Sequence, residues 1–287
     1  MKKKLLYAAI IVALYLIISP FISPKKAEIE EIPVNAGSEF EILFIDVGQA
    51  DAALVSSDGH HMLVDGGNRE DSDKIYTVLK NRGVEHLDYV VCTHAHEDHV
   101  GGLPAAISNF SVGKVFSSVE SYDSKIFRTF VEKTNEKGLS LTIPELYDTY
   151  KLGDASITFI GPAEKSDEPN NMSLVVKIIY GNTSFLFTGD AERDAENAIL
   201  ENGVDISCDL LKVGHHGSET STSYRFLYEA NPKYAVISVG KDNSYGHPHE
   251  EVMSRLRDAE VEVFRTDLVG DILVRSDGNT LSFETSK

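Results

Sequence analysis

The sequence of 287 residues predicts an α/β fold in which two β-sheets pack face to face, with helices outside and a hydrophobic segment at the N terminus. Strand-like and helix-like stretches alternate from residue 39 onward, and acidic and histidine residues recur where apolar runs end. The first 24 residues differ in character from the rest. With 42% hydrophobic and 25% charged residues, the chain has the composition of a globular protein.

Residues 1–24 form a separate unit at the N terminus. Lysines precede an uncharged apolar run, Leu5 to Ile18, and prolines follow it. This order is typical of a signal peptide or an N-terminal membrane anchor, and we favour the anchor because no clear cleavage site follows. The lysines favour the cytoplasmic side, which predicts that the rest is exported, either anchored at the outer face of the cell membrane or secreted. Residues 25–38 are predicted to be a linker and residues 39–287 the main domain.

The main domain opens with three strands, a helix and a fourth strand. Apolar alternation predicts the strands, and Asp58-Gly59 supplies the turn between the second and the third. Helical spacing that ends at Gly83 predicts the helix. In chain order these elements are 39–46, 52–56, 61–65, 73–81 and 88–93.

Two helices, a β-rich stretch and a hairpin are predicted in the middle of the chain. The apolar spacing is helical in the first two segments, and Gly181-Asn182 marks the turn of the hairpin. In chain order these elements are 102–109, 124–137, 139–160, 172–180 and 184–188.

Helices and strands alternate in the last third of the chain before two final strands, which again places helices beside a sheet. The predicted helices are 191–201, 222–230 and 248–258. The predicted strands are 209–213, 234–239, 261–265, 271–275 and 281–284.

The segment 93–100 directly follows an apolar run and is rich in metal-binding side chains. It contains His94, His96, Glu97, Asp98 and His99. A solvated loop would more often use Lys, Glu, Ser or Asn. Imidazole nitrogen and carboxylate oxygen suit zinc, manganese or iron, while the absence of a nearby cysteine pair argues against a closed structural zinc site. The segment therefore predicts a metal site.

Three further candidates, Asp65, Asp190 and His215, each close an apolar strand-like run. Strand ends that meet at one edge of a sandwich can hold convergent side chains on a rigid scaffold. We therefore expect these residues to join the metal site.

The order of these motifs resembles the metallo-β-lactamase superfamily over residues 40–285 or so. The matching motifs are Asp65-Gly66-Gly67, 93–102, Gly189-Asp190 and His215. Within the superfamily the chain is similar to the hydrolase domain of ComEC competence proteins, on the stretches 44–51, 171–175, 212–218, 243–248 and 265–267. The resemblance implies an αββα four-layer sandwich. It also implies a metal-dependent hydrolase, namely a phosphodiesterase or nuclease of the type that degrades one DNA strand during uptake.

The resemblance also implies a role for each candidate ligand. A first divalent ion, Zn or Mn, is bound by His94 and His96. A second is bound by Asp98, His99 and His215, with Asp190 between the two. Such a pair of ions activates water and stabilises the oxygens of a phosphodiester. Asp65 is predicted to lie behind the ligands and to accept a hydrogen bond from a ligating histidine.

The chain departs from the family pattern at the first ion. Many members supply a further histidine there, but no histidine lies between residues 100 and 189. We expect water and an oxygen from a side chain in the matching region, and an oxygen-richer site tolerates Mn better. The candidates are Asn170, Asn171 and Ser173. Ala50 replaces a usual glycine, which leaves the roles of Gln49 and Asp51 open.

Substrate contacts are predicted for His216, Ser218 and His247. Asp98 and His247 are the predicted catalytic residues, and His247 would protonate a leaving oxygen or donate to a phosphate. The alternatives are that His247 stabilises its turn and that Ser218 caps the helix after it.

The net charge of −18 weighs against nonspecific binding of nucleic acid. A local groove of Lys212, Lys233, Lys241 and Arg265 would be needed to attract single-stranded DNA. The expected partners are a phosphodiester substrate, with single-stranded DNA as the candidate, and the membrane through the N-terminal segment; a monomer is assumed. Hydrolysis of a β-lactam or another amide or ester is one alternative. A non-catalytic binding domain is the other, and the complete ligand set disfavours it.

Overall fold

The computed structural model describes residues 40–287, in which fifteen strands pair into two sheets. The predicted signal peptide or anchor at 1–24 and the linker at 25–38 lie outside the described residues. The strands are β1 (Phe40–Phe44), β2 (Ala52–Ser57), β3 (His60–Gly66), β4 (His86–Cys92), β5 (Ser111–Ser117), β6 (Leu141–Thr142), β7 (Thr149–Leu152), β8 (Ala155–Gly161), β9 (Val175–Tyr180), β10 (Thr183–Phe187), β11 (Leu210–Lys212), β12 (Tyr234–Ile237), β13 (Glu262–Arg265), β14 (Ile272–Ser276) and β15 (Leu281–Thr285).

Eight α-helices and three short 3₁₀ turns complete the described part. The helices are α1 (Ser72–Asn81), α2 (Glu97–Val100), α3 (Leu103–Asn109), α4 (Lys125–Glu136), α5 (Arg193–Glu201), α6 (Tyr224–Ala230), α7 (Glu250–Asp258) and α8 (Thr266–Val269). The 3₁₀ turns are Arg69–Asp71, Pro169–Met172 and Gly214–Gly217.

The first sheet has eight strands in the order β15-β14-β1-β2-β3-β4-β5-β6, and the second has seven in the order β13-β12-β11-β10-β9-β8-β7. In the first sheet β1, β2 and β3 form the predicted antiparallel meander, and the strands from β3 to β6 run parallel. In the second sheet β7 to β10 are antiparallel neighbours, while β10 to β13 are parallel. Parallel strands direct their carboxyl ends to one edge, which is where side chains can converge.

Three apolar layers hold these elements together. Between the sheets, the Phe40 ring stacks on Phe185 with centroids 4.9 Å apart, and Phe44 stacks on Phe187 at 5.6 Å. A second layer packs α1, α3 and α4 against the outer face of the first sheet. A third packs α5, α6 and α7 against the second sheet. The predicted αββα sandwich is therefore confirmed.

The sequence does not predict strand β5 or helices α2 and α8, which the structure adds. Strand β5 lies between β4 and β6, but its sequence has few apolar residues and includes Gly113. Helices α2 and α8 have four residues each, too few to show a helical period. Within residues 40–287, no helix is long and apolar enough to cross a membrane.

Candidate metal centre

The candidate ligands lie on loops that leave the carboxyl ends of strands in both sheets. Asp65 ends β3, and the 94–99 segment follows β4 and leads into α2. In the second sheet, Asp190 follows β10, and His215 and His216 lie in the 3₁₀ turn after β11. Both sheets thus contribute to one site at the edge where these loops meet.

Four side chains form a compact, largely buried group that could hold a metal ion. Asp98, His99, Asp190 and His216 each offer an atom, and these atoms all lie within 4.8 Å of one another. His99 Nε2 is 3.3 Å from Asp190 Oδ1, and His216 Nε2 is 3.2 Å from Asp98 Oδ2. These are nitrogen and oxygen donors of the kind that divalent metals bind.

His94 and His96 approach the same aspartate from the 94–99 segment. His94 Nε2 lies 3.1 Å from His96 Nδ1 and 3.8 Å from Asp190 Oδ2. Burial, reinforced by the neighbouring His99, lowers the pKa of His94 well below its usual value. His94 is therefore neutral and available as a metal ligand.

The histidine Nδ1 atoms are held by groups behind the centre. His99 Nδ1 donates to Asp65 Oδ2 at 2.8 Å, and Asp65 also accepts from the backbone and hydroxyl of Thr93. His216 Nδ1 donates to the Ser238 carbonyl at 3.0 Å. Each contact leaves Nε2 directed toward Asp190, the orientation that ligand histidines take when their other nitrogen is hydrogen-bonded.

The structure places His216, and not His215, in the group of four. His216 is 2% exposed and lies with Asp98 and His99, so it could be a metal ligand, while its predicted substrate contact stays a prediction. His215 is only partly buried, yet its Nε2 lies 3.7 Å from Asp190 Oδ2 and its Nδ1 lies 3.2 Å from Glu192 Oε1. His215 thus borders Asp190 but lies outside the group of four, and its role as a ligand stays a prediction.

Two buried atoms of the centre lack hydrogen-bond partners among the described residues: His99 Nε2 and Asp190 Oδ1. Burial lowers the pKa of His99, but the carboxylates of Asp190, Asp65 and Asp98 raise it well above its usual value. Burial also opposes the shift of His216, whose pKa its acidic neighbours Asp190 and Asp51 raise to about 10. The centre therefore favours added positive charge, and its unpaired donor atoms fit divalent metal ions.

Asp51 and Lys212 form a buried ion pair behind His216. Lys212 Nζ lies 2.8 Å from Asp51 Oδ2, both side chains are at most 7% exposed, and Asp51 Oδ1 lies 3.2 Å from His216 Nδ1. Asp51 therefore faces the metal centre from behind. The departure at Ala50 leaves the role of Asp51 open in the sequence, and nothing local there indicates this long-range contact.

The four cations considered for a DNA-binding groove lie in different surroundings. Lys212 is buried against Asp51. Lys233 pairs with Asp209, and Arg265 pairs with Asp267. Lys241 is exposed. Three of these four residues therefore pair with nearby acids, and binding of single-stranded DNA stays a prediction.

The region expected to replace the missing histidine mostly supports the backbone near Asp190. Ser173 Oγ accepts from the Asp190 amide at 3.0 Å, and Asn171 Oδ1 accepts from the Glu192 amide at 3.1 Å. Asn170 Nδ2 donates weakly to Glu192 Oε1, while its Oδ1 has no hydrogen-bond partner among the described residues. Of the three candidates, Asn170 alone keeps a free buried oxygen.

Ser218 and His247 occupy different surroundings. Ser218 is buried, and its hydroxyl bonds to Thr220 within the turn. The N-cap of α6 is Ser223, whose side chain accepts from the Phe226 amide, so the capping alternative for Ser218 is wrong and its substrate contact stays a prediction. Gln49 Oε1 accepts from the Gly240 amide at 3.0 Å, so its Nε2 faces His247 Nδ1 at 3.3 Å as a donor. Neutral His247 then carries its hydrogen on Nε2.

Burial and the nearby His215 lower the pKa of His247 to about 4. His247 is therefore neutral at pH 7 and suits hydrogen-bond donation better than protonation of a leaving group. Sequence reasoning left the role of Gln49 open, and its amide fixes this arrangement through contacts 191 and 198 residues away along the chain.

A cavity of about 590 Å³ adjoins the centre on the side of His96. Its wall includes Tyr122, whose ring centroid is 6.2 Å from that of His96. Arg69 and Lys125 also line it, together with the acidic Glu97. The volume is that of a typical small-molecule site.

Comparison with known proteins agrees with this geometry. The profile of the Metallo-beta-lactamase superfamily matches residues 45–241. ComE operon protein 3 of Bacillus subtilis is 31% identical over 83% of the chain and 33% of its own length. Competence protein ComA of Neisseria gonorrhoeae is 30% identical over 89% of the chain and 34% of its own length. The chain thus spans about a third of the length of these curated relatives.

A solved structure supports the fold. The metallo-beta-lactamase fold protein YhfI from Bacillus subtilis superposes with a TM-score of 0.54 and 14% identity, over 83% of this chain and all of that one. At this identity the likeness concerns the fold alone.

Proposed function

The chain belongs to the metallo-beta-lactamase superfamily, and on that premise we propose that it is a metal-dependent phosphodiesterase or nuclease. The observation that carries the proposal is the position of Asp190 at the centre of the ligand cluster. Its Oδ1 faces His99 Nε2 at 3.3 Å, and its Oδ2 faces His94 and His216 at 3.8 Å. A carboxylate with imidazoles on both oxygens suits a bridge between two ions.

The chemistry follows from this arrangement and from His247. Two divalent ions, Zn or Mn, would polarise the phosphodiester and lower the pKa of water. The residues of the chain hold and orient the donors: Asp65 holds His99, and Ser238 holds His216. His247, neutral with its hydrogen on Nε2, would donate to a phosphate oxygen. Asp98 is 31% exposed, so it would act at the open side of the centre.

We place the activity outside the cytoplasm, on DNA. The basic and apolar order of residues 1–24 supports export, with the membrane as a partner through that segment. The similarity to a protein named for competence supports DNA as the substrate. A chain of −18 net charge would depend on metal ions rather than surface cations to hold a polyanion.

The proposal is tested by hydrolysis of bis(p-nitrophenyl) phosphate with the full chain loaded with Mn or Zn. We expect turnover by the wild type and a loss of at least about a hundredfold in Asp190→Ala, because the carboxylate shared by the two ligand groups is removed. Asp205→Ala is the matched control, since Asp205 is exposed and pairs with Lys177. It should keep wild-type turnover.

Two outcomes would count against the proposal. A wild-type protein with two ions bound that leaves the diester intact would exclude a phosphodiesterase. Faster turnover of nitrocefin than of the diester would instead favour the β-lactam and amide hydrolases.

A further inference from the structure

The loop 243–249 carries an exposed aromatic side chain beside the metal centre. Tyr245 is 67% exposed, and its ring stacks on His247 with centroids 5.6 Å apart and planes 25° from parallel. The His247 ring lies 5.6 Å from that of His215, whose Nε2 is 3.7 Å from Asp190. A row of rings therefore leads from solvent to the ligand cluster.

Side-chain contacts fix the shape of this loop. Asn243 Oδ1 accepts from the amides of Tyr245 and His247 at 3.1 and 3.0 Å. Asn243 Nδ2 donates to the carbonyls of Gly240 and His247. Gln49 anchors the start of the loop through Gly240 and the ring of His247. The backbone that carries Tyr245 is therefore held in place before any ligand arrives, which reduces the entropy lost on binding.

An exposed ring that already stacks on one neighbour offers its other face to a planar ligand. Nucleobases are such ligands, and single-strand binding proteins use aromatic side chains to stack successive bases regardless of sequence. In a duplex, both faces of an interior base are covered by adjacent bases, so unstacking would have to precede this contact.

The distribution of charge makes stacking more important here. Lys212, Lys233 and Arg265 are engaged by acids, and the chain carries a net charge of −18. These three cations are therefore not free to hold phosphates, and Arg69 and Lys125 in the cavity beside His96 share it with Glu97. Stacking on a base is an uncharged contact, so it adds no electrostatic repulsion between the strand and the negatively charged protein.

We infer that Tyr245 is the base-stacking residue of a subsite for single-stranded nucleic acid beside the metal centre. The inference rests on the proposed function, because it names the substrate class of the same site. A strand whose phosphate lies at the ligand cluster would place a neighbouring base on the free face of Tyr245, next to His247.

The test compares two fluorescein-labelled oligonucleotides of twelve units with cleavage-resistant phosphorothioate links: oligo(dT), and an abasic strand with the same backbone. Binding to the Mn-loaded full chain is measured by fluorescence anisotropy. We expect the wild type to bind oligo(dT) about 5- to 100-fold more tightly, the range for one stacked base. Tyr245→Ala should bring this ratio close to one, and Tyr245→Phe should keep it.

Tyr228→Ala is the matched control, because Tyr228 is 80% exposed but lies on α6. It should keep the wild-type ratio. A wild type that binds both strands equally, or a Tyr245→Ala variant that keeps the ratio, would overturn the inference. Cleavage of ordinary oligo(dT) is measured separately. A protein that shows the Tyr245-dependent ratio but cleaves no diester would retain the subsite and contradict the proposed hydrolysis.

Discussion

His215 and His216 both adopt left-handed backbone conformations, with φ of 49° and 52°. Non-glycine residues seldom occupy this region, and such strain persists where the surrounding structure holds it. The conformation turns the chain so that adjacent side chains diverge. His216 enters the buried group with Asp98, whereas His215 stays 24% exposed next to Glu192. Neighbours in sequence thus reach Asp190 Oδ2 from two positions, at 3.8 and 3.7 Å.

This geometry predicts that the two histidines support different ions. His216→Ala should weaken binding of the ion held with Asp98 and His99, and His215→Ala should weaken the ion nearer His94. Each variant should lose one ion per chain, with the affinity for that ion reduced at least about a hundredfold. Metal content after gel filtration, measured by inductively coupled plasma mass spectrometry, checks this expectation.

His61→Ala serves as the control, since the ring of His61 bonds to Ser56 at the other end of β3. It should keep the wild-type metal content. Two ions retained by either ligand variant would contradict the assignment of that histidine.

The sequence was sufficient to find the ligand cluster but not its final arrangement. His94, His96 and His99 stand close together, so their convergence needs no knowledge of the fold. The choice between His215 and His216 depends on two backbone dihedral angles that no side-chain pattern encodes. Gln49 and Asp51 act through contacts across more than 100 residues, which periodicity does not reveal.

At the scale of elements, α5 and α7 hold the loop that follows the 3₁₀ turn Gly214–Gly217. Glu196 on α5 accepts from the amide of Ser223 at 3.0 Å. Arg255 on α7 is buried and donates to the carbonyls of Ser221 and Thr222 at 2.8 and 3.2 Å. The position of the ligand histidines therefore depends on side chains from two helices outside the centre.

Replacing Arg255 with leucine should loosen this loop. The substitution leaves the buried carbonyls of Ser221 and Thr222 without their donor. A buried hydrogen-bonding group left unsatisfied costs about 1–3 kcal/mol. We expect a lower free energy of unfolding in urea and weaker metal binding in Arg255→Leu. Arg257→Leu is the control, because Arg257 is exposed on the same helix. Equal stability of both variants would show that Arg255 does not hold the loop.

Elements with a clear period were predictable, and those without one were not. Helix α1 was expected at 73–81 and forms at Ser72–Asn81, because its apolar residues Ile75 and Leu79 recur at helical spacing. Strand β5 contains Gly113 and Lys114, so its sequence lacks alternation, and pairing with β4 and β6 defines it. Tertiary contacts therefore determine the secondary structure of such segments.

At the scale of the whole molecule, the metal centre concentrates acidic side chains inside a protein that is already negative. Asp51, Asp98 and Asp190 lie within one cluster. The imidazoles of His99 and His216 hold the pKa of Asp190 well below its usual value despite burial. Protons on His99 and His216 therefore supply the positive charge in the metal-free protein. Bound metal ions must displace those protons, because ligand histidines are neutral.

This competition predicts how stability depends on pH and metal. The pKa of His216 rises from 6.5 to about 10 on folding, so its protonation stabilises the metal-free fold fully below pH 6.5. That contribution is lost as the pH rises toward 10, whereas the metal-loaded protein has no such proton to lose. The gap in unfolding free energy between loaded and chelated protein should widen by about 1.4 kcal/mol per pH unit for each proton displaced.

Thermal unfolding of the Mn-loaded and the EDTA-treated protein between about pH 6.5 and 9 measures this gap. For a domain of this size, each kcal/mol of difference shifts Tm by about 2–4 °C. Asp190→Ala removes the carboxylate shared by the ligand groups and should show little effect of Mn at any pH. A gap that narrows with rising pH in the wild type would mean that metal binding displaces no proton from the centre, and that His216 is already neutral in the metal-free fold.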